Sequence, residues 1–340
     1  MNLDELDSHF SNKSVLITGA SGFVGRNLIQ AFMKSESYLS HSLKIMCATR
    51  SPQKLFEQWP NEQSRLQVLD WDIRRPLTER LSKVDFVFHL AGENRTVHDP
   101  QQAKLVFDTS VLGTKNLLHA MTQLDVKKII FASSGAIYKK ALDESQNFCE
   151  SQEISNDEIE DDDPYLSGKS RAESICKEFI ETSTTEIIIA RMFTFVGPYL
   201  PLNANFAIGN FFQDCIEKKP VMVKSDGKSI RSYQFSIDMV NWLVTMLLKG
   251  KNGEIYNVGS SEQISIKNLA ERIAEVFENK LGVKILGDKS PDPVSSVYVP
   301  NIEKAKKDLG LANFFSLNES LLKMRHFLQN NKSNSISTTI

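Results

Sequence analysis

The sequence predicts an α/β protein: a doubly wound parallel sheet followed by a smaller, loop-rich C-terminal lobe. Three observations lead there. Short runs of Val, Ile and Phe alternate with stretches of helical periodicity as far as Arg191, the pattern of βαβ units. The runs are nearly continuous apolar segments, as expected of strands covered on both faces. Beyond Arg191 the alternation stops, and Pro, Gly and Asn scatter through 197–231.

The elements follow in order. Ser14–Thr18 (SVLIT) is the first strand and runs into glycines; Phe23–Lys34 has the apolar spacing of a helix. Leu43–Thr49, Leu66–Leu69 and Val84–Leu90 are the second to fourth strands. A long helix over Gln101–Leu124 precedes the fifth strand, Lys128–Ala132, and a helix over Pro164–Thr182 precedes the sixth, Glu186–Arg191. Between Lys139 and Asp163 ten acidic residues and few apolar ones predict a solvated loop. Ile266–Glu278 and Leu317–Leu328 read as amphipathic helices of the second lobe, and the polar 331–340 as a disordered tail.

Composition excludes several classes. A net charge of −2 gives no basic footprint for nucleic acid. Four cysteines without a CxxC pair predict free thiols in a reducing compartment. Six histidines show neither HxxxH nor HExxH spacing, so no metal site is expected. The acidic start does not resemble a signal peptide, and no run of 18 apolar residues exists. A soluble, cytoplasmic protein without a membrane partner is the expectation.

The stretch VLITGASGFVGRNL carries the first functional signal. Gly19, Gly22 and Gly25 sit between the first strand and the first helix. Glycines there allow a tight turn and a close backbone approach to a pyrophosphate, which the free N–H groups of the helix start then hold. This is the context of a Rossmann-like dinucleotide site. The second strand ends CATRSPQK, with Thr49 near the place for a ribose-binding acid and Arg50 after it. An arginine there suits a 2′-phosphate, which favours NADP over NAD; an Arg50 turned to solvent would leave NAD open. Asp72, after the third strand, is placed to meet the adenine amino group.

The segment DDDPYLSGK carries the second. Tyr165 and Lys169, four apart, share one helix face. A tyrosine of pKa near ~10 needs roughly 4 kcal/mol of differential stabilisation to shift by ~3 units. A nearby ammonium and a hydroxyl donor supply that together, and the phenolate can then take a proton from an alcohol as hydride leaves the same carbon.

At these residues the sequence resembles an extended short-chain dehydrogenase/reductase of the nucleotide-sugar epimerase/dehydratase group, over about residues 13 to 328. The resemblance rests on GASGFVG (19–25), HLAG (89–92), GTKNLL (113–118), SSGAIY (133–138), YLSGK (165–169), ARMFTFVGP (190–198), DGKSIRSY (226–233) and YNVGS (256–260). It implies a dinucleotide-binding domain over 11–192 with about 232–258. A substrate lobe over about 193–231 and 259–330 would take a nucleotide-diphosphate sugar. It implies a triad: Ser134 bonding the reacting oxygen, Tyr165 as acid/base, and Lys169 holding the ribose and lowering the tyrosine pKa. Around the cofactor it adds Ser21, Phe23, Val24, Ile73, Leu90, Ala91 and Gly92. For the substrate it implies Glu93, Gly135, Thr194, Asn210 and, on the diphosphate, Arg231. It also implies a homodimer through the helices at 101–124 and 164–182.

The same resemblance discriminates among reactions. Relatives that dehydrate the sugar carry an Asp–Glu pair after the triad hydroxyl, and those that decarboxylate a sugar acid commonly keep the glutamate. Here the two positions are Gly135 and Ala136, which move no proton, unless Glu93 or His98 substitutes. What needs only triad and cofactor is 4-epimerisation or one-way reduction of a 4-keto sugar by NADPH. Dehydratase and decarboxylase remain alternatives. A non-catalytic NADP-sensing protein is disfavoured, because such relatives usually lose the Tyr or Lys kept here. The chain departs from the family at Ser110 and Thr194, where asparagines are usual, and in the long interval between Ser134 and Tyr165.

Overall fold

The computed structural model describes residues 3–93, 99–138, 147–152, 163–202, 206–287 and 297–336, with side chains between Asp7 and Asn330. His98 and most of the acidic stretch lie outside the described residues.

The chain opens with α1 (Leu3–Phe10), β1 (Ser14–Thr18), α2 (Phe23–Met33), the single turn α3 (Glu36–Leu39), β2 (Lys44–Thr49), α4 (Pro52–Gln58) and β3 (Gln67–Asp70). It continues through β4 (Phe86–His89), α5 (Pro100–Met121), β5 (Lys128–Ser134), α6 (Pro164–Ile180) and β6 (Glu186–Met192). The elements then shorten: β7 (Phe195–Val196), α7 (Ala207–Ile216), β8 (Val221–Val223), β9 (Ile230–Arg231) and β10 (Gln234–Phe235). After these come α8 (Ser236–Lys249), β11 (Ile255–Val258), β12 (Ile264–Ser265), α9 (Ile266–Val276), β13 (Val283–Ile285), β14 (Val297–Tyr298), α10 (Glu303–Leu309) and α11 (Leu317–Ile336).

Seven strands form one parallel sheet in the order β11-β6-β5-β4-β1-β2-β3. Alternate side chains divide between its two faces, as the strand repeat of two dictates. Val15, Ile17, Ile45, Cys47, Phe88, Ile130 and Ile188 pack under α2 and α8. Leu16, Met46, Val87, Ile129, Phe131, Ile187 and Ile189 pack under α5 and α6. A third core, with Phe211, Phe212, Val221, Leu269, Ile273 and Leu321, holds the second lobe.

Strand order reverses between β1 and β4, so a crevice opens at their carboxyl ends, where ligands of such sheets bind. The expected elements are present, with ends within three residues, and three differences stand out. β11, lying between the two stretches that build the third core, is a seventh strand paired with β6. The acidic start forms α1, whose Phe10 is fully buried against Phe32 and Phe86. α11 runs to Ile336, past the expected end at Leu328 and into the stretch read as a disordered tail.

Candidate active site

The turn after β1 is built as its glycines predict. Gly19 takes φ +66°, and a Cβ there would stand 2.8 Å from the Leu90 carbonyl. A Cβ on Gly25 would meet the Gly19 carbonyl oxygen at 2.6 Å, so only glycine lets α2 lie on the turn. The Gly22 N–H donates to the Gly19 carbonyl at 2.9 Å. Gly22 also caps α2 with no side chain, and no acid stands in the first turn. The free N–H groups and positive dipole end are left for an anion. Above them lies a cleft of about 320 Å³ lined by Gly19, Ser21, Gly22, Arg50, Asp72, Ile73, Leu90, Ala91, Gly92 and Glu93. The close cradle and uncapped helix fit a dinucleotide pyrophosphate.

Of the residues expected on the cofactor, Phe23, Val24, Gly25, Tyr165 and Lys169 do not line this cleft. Phe23 and Val24 pack on the core, with the Phe23 ring 6.5 Å from that of Phe195. Their contribution is the helix start itself.

A buried chain that the sequence did not announce supports the cleft floor. Thr18 Oγ1 lies 2.8 Å from His89 Nδ1, and His89 Nε2 3.2 Å from Thr114 Oγ1. The Thr114 hydroxyl donates to the Ser110 carbonyl, so Nε2–H must donate to Thr114 and Nδ1 accepts from Thr18. Burial pushes the His89 pKa down to about 3, with the charge of Lys169 adding, so the ring is neutral. Thr18 Oγ1 in turn accepts from the N–H groups of Leu90 and Ala91, at 3.2 Å each. This holds the HLAG turn beside the glycines.

The end of the cleft beside β2 is a charge cluster. Arg50 Nη2 stands 2.5 Å from Glu93 Oε1. Asp72 holds Arg74 through both carboxylate oxygens, which keeps the Asp72 carboxyl below its usual range. The hydroxyls of Ser21 and Thr49 meet at 2.7 Å. Glu93, expected on the sugar, is thus placed at the cofactor cleft.

Tyr165, expected as the acid/base, sits at the start of α6. Asp163 is its N-cap: Oδ1 accepts from the N–H groups of Tyr165 and Leu166, both at 3.1 Å, and Pro164 occupies the first turn. The last aspartate of DDDP therefore pins the turn that carries Tyr165. One turn on, the Lys169 ammonium is buried and donates to the Ala132 carbonyl at 2.7 Å. It lies 3.5 Å from where a Cβ on Gly92 would be, so it reaches the cleft wall. Burial lowers the Lys169 pKa to about 8, against the pull of Glu173. Glu173, a further turn along, binds Arg191 through both oxygens at 3.1 and 2.9 Å, and both side chains are buried. The only local signal for this pair is that Glu173 lies four residues from Lys169 on the same face of α6.

Ser134 ends β5, and its Oγ accepts from the Ala136 N–H at 3.1 Å, which leaves its proton for another acceptor. The next residue, Gly135, lies under the Phe193 ring: a Cβ there would stand 2.5 Å from Cζ. Phe193 belongs to an aromatic cluster with Tyr138, Phe148 and Tyr298. At its outer end the Arg231 guanidinium sits 5.9 Å above Tyr298, and burial lowers its pKa. Arg231 is on β9, between β12 and β14 of the second lobe. Asn210 stands half-buried on α7, and Thr194 Oγ1 donates to the Ser232 carbonyl. The cleft does not extend to Ser134, Tyr165, Asn210 or Arg231; of the three residues expected as a triad, Lys169 is the one whose ammonium reaches its wall, beside Gly92.

Comparison with known proteins gives these features a family. Residues 15–259 match the NAD dependent epimerase/dehydratase family, and the chain belongs to it. UDP-glucuronic acid decarboxylase 1 of Arabidopsis thaliana is 27% identical over 91% of this chain and 68% of that protein. The protein of the same name from Xenopus tropicalis is 25% identical, over 95% and 73%. The epimerase Mth375 of Methanothermobacter thermautotrophicus superposes with a TM-score of 0.81 at 24% identity, covering 98% of this chain and 96% of that one. UDP-glucuronic acid 4-epimerase of Bacillus cereus, solved with UDP-glucuronic acid and NAD, superposes at 0.77 and 23% identity, over 94% and 99%. These two structural likenesses establish the fold.

Proposed function

We propose that this chain, as a member of that family, binds a nicotinamide dinucleotide in the cleft and acts at C4 of a nucleotide-diphosphate sugar, as an epimerase or 4-ketoreductase. The observation that carries the reading is Lys169: its ammonium lies at the cleft wall beside Gly92 and one turn from Tyr165. When bound, the dinucleotide supplies or accepts hydride at the sugar carbon. The remaining work belongs to the chain. Tyr165 takes the C4 hydroxyl proton in the oxidative direction and returns it in the reductive one. Lys169 stabilises the phenolate by its charge. Ser134 donates to the same oxygen, and Arg231 offsets the diphosphate charge.

Gly135 under Phe193 supports C4 chemistry alone, since no acid follows the triad hydroxyl. Arg50 at the end of β2 supports NADP over NAD. Pairing of two copies through α5 and α6 belongs to the same reading; Leu112 of α5 stands exposed there. A second reading, decarboxylation of a nucleotide-linked sugar acid, is favoured by the names of the curated relatives.

UDP-glucuronic acid with NAD or NADP separates the two. The C4 epimer without CO₂ is the expected product of an epimerase; a pentose with stoichiometric CO₂ would overturn the main reading for the second. Consumption of NADPH only with a 4-keto nucleotide sugar would select the reductase. No turnover with any of these would count against C4 chemistry.

A further inference from the structure

We infer that Glu93 is a specificity residue for the adenosine ribose of the cofactor: by holding Arg50 it sets how strongly the cleft prefers a 2′-phosphate to a 2′-hydroxyl. The inference rests on the reading of the cleft as a dinucleotide site. Arg50 follows β2 and Glu93 lies beyond β4, the two strands that flank β1. Their side chains meet at 2.5 Å, so the pair spans the carboxyl end of β1. Adjacent strands are about 4.8 Å apart, so the span is roughly 10 Å.

Three further observations give the pair a role. The end of β2 offers no carboxylate to a ribose, because Thr49 stands there with its hydroxyl engaged by Ser21 and by the Ser51 N–H. Asp72 is taken up by Arg74. The carboxylate in contact with Arg50 is therefore that of Glu93, beyond β4, with Asp72 acting on the guanidinium only at longer range. The contact is close but not aligned: Glu93 Oε1 is out of solvent and, among the described residues, makes no hydrogen bond of good geometry. Such an ion pair is readily exchanged for a better-shaped acceptor.

A 2′-phosphate, with about −1.5 to −2 charges at neutral pH, competes with Glu93 for the same guanidinium and repels the carboxylate beside it. A 2′-hydroxyl does neither. Removing the Glu93 charge frees the guanidinium from its close partner and favours the phosphate.

The test is the affinity of the purified full chain for NADPH and for NADH, read by nucleotide fluorescence rather than turnover. Glu93→Gln is expected to tighten NADPH about three- to fivefold and to leave NADH unchanged or weaker, the scale of a part-exposed ion pair. The gain is expected to shrink at high salt and to vanish in Arg50→Gln/Glu93→Gln. An unchanged or lower NADPH-to-NADH ratio in Glu93→Gln would overturn the inference. If Arg50→Gln still lowers that ratio, the NADP reading survives the loss. An Arg50→Gln variant with an unchanged ratio would overturn both, and a chain that binds neither nucleotide would overturn the cleft assignment itself.

Discussion

Phe193 lies flat enough against Gly135 that a Cβ on the glycine would come within 2.5 to 2.8 Å of three ring atoms. The ring is 8% exposed and wedged among Tyr138, Phe148 and Tyr298, so it has little room to retreat. Gly135→Ala is therefore expected to cost about 1–3 kcal/mol, the usual range for overpacking. Phe193→Leu in the same chain should return part of it. A thermal-melt double-mutant cycle measures the coupling; additive losses would mean the ring moves freely. Gly135→Asp is expected to give no dehydration product, because the acid would displace the turn that holds Ser134.

Tyr165→Phe is expected to lower kcat by about 10²–10⁴-fold, the contribution of a positioned acid/base group. Dinucleotide affinity should stay unchanged, since the cleft is lined without Tyr165. Turnover within tenfold of wild type would remove Tyr165 from the chemistry.

Lys169 titrates at about 8 in the folded chain against an ordinary 10.5. If Lys169 holds the proposed role, its ammonium is lost as pH rises through 8, and kcat/KM should fall on an alkaline limb there. Between 8 and 10.5 the unfolded chain binds the extra proton, so this lysine's contribution to stability is present above 10.5 and lost as pH falls through 8. Glu173→Gln removes a charge that raises the Lys169 pKa, so the kinetic limb should move to lower pH. It also leaves Arg191 buried without its partner, a loss of about 3–5 kcal/mol. A limb that stays in place would make Glu173 structural only.

Asp163→Ala removes the side-chain acceptor of two N–H groups at the start of α6. The expected loss is about 1 kcal/mol in urea unfolding. A fall in kcat larger than the fall in stability would show that the cap also orients Tyr165; Asp163→Asn should restore both.

His89 is neutral, its pKa pushed down to about 3 by burial, against 6.5 unfolded. Between those values the unfolded chain binds one more proton, so this histidine's contribution is complete above pH 6.5 and lost as pH falls toward 3. His89→Gln should cost about 1–3 kcal/mol at pH 7.5. The gap to wild type should narrow by about 1.4 kcal/mol per pH unit below 6.5. A constant gap would mean that His89 protonates in the folded state.

The parts of the site that were legible in the sequence are those whose partners are close in the chain. The glycines at 19, 22 and 25 act through one turn, and Tyr165 and Lys169 through one helical turn. Asp163 stands directly before the helix that the sequence already starts at Pro164; the structure adds that its side chain accepts from the Tyr165 and Leu166 N–H groups. The contact between Glu93 and Arg50 was not legible, because the sequence says which strand each residue follows and not which way its side chain turns.

Local periodicity and glycine spacing, read by the sequence alone, determined the alternating strands and helices, the phosphate turn and the tyrosine–lysine face. Both signals arise from contacts within a few residues, where the backbone repeat decides the geometry. Only the tertiary structure decided that Arg50 meets Glu93, that Glu173 holds Arg191, that Phe193 covers Gly135, and that β11 closes the sheet beside β6. Those pairings depend on which strands become neighbours and in what register. That order is set by burying two faces of one sheet at once, a condition on the whole chain that no single stretch of it carries.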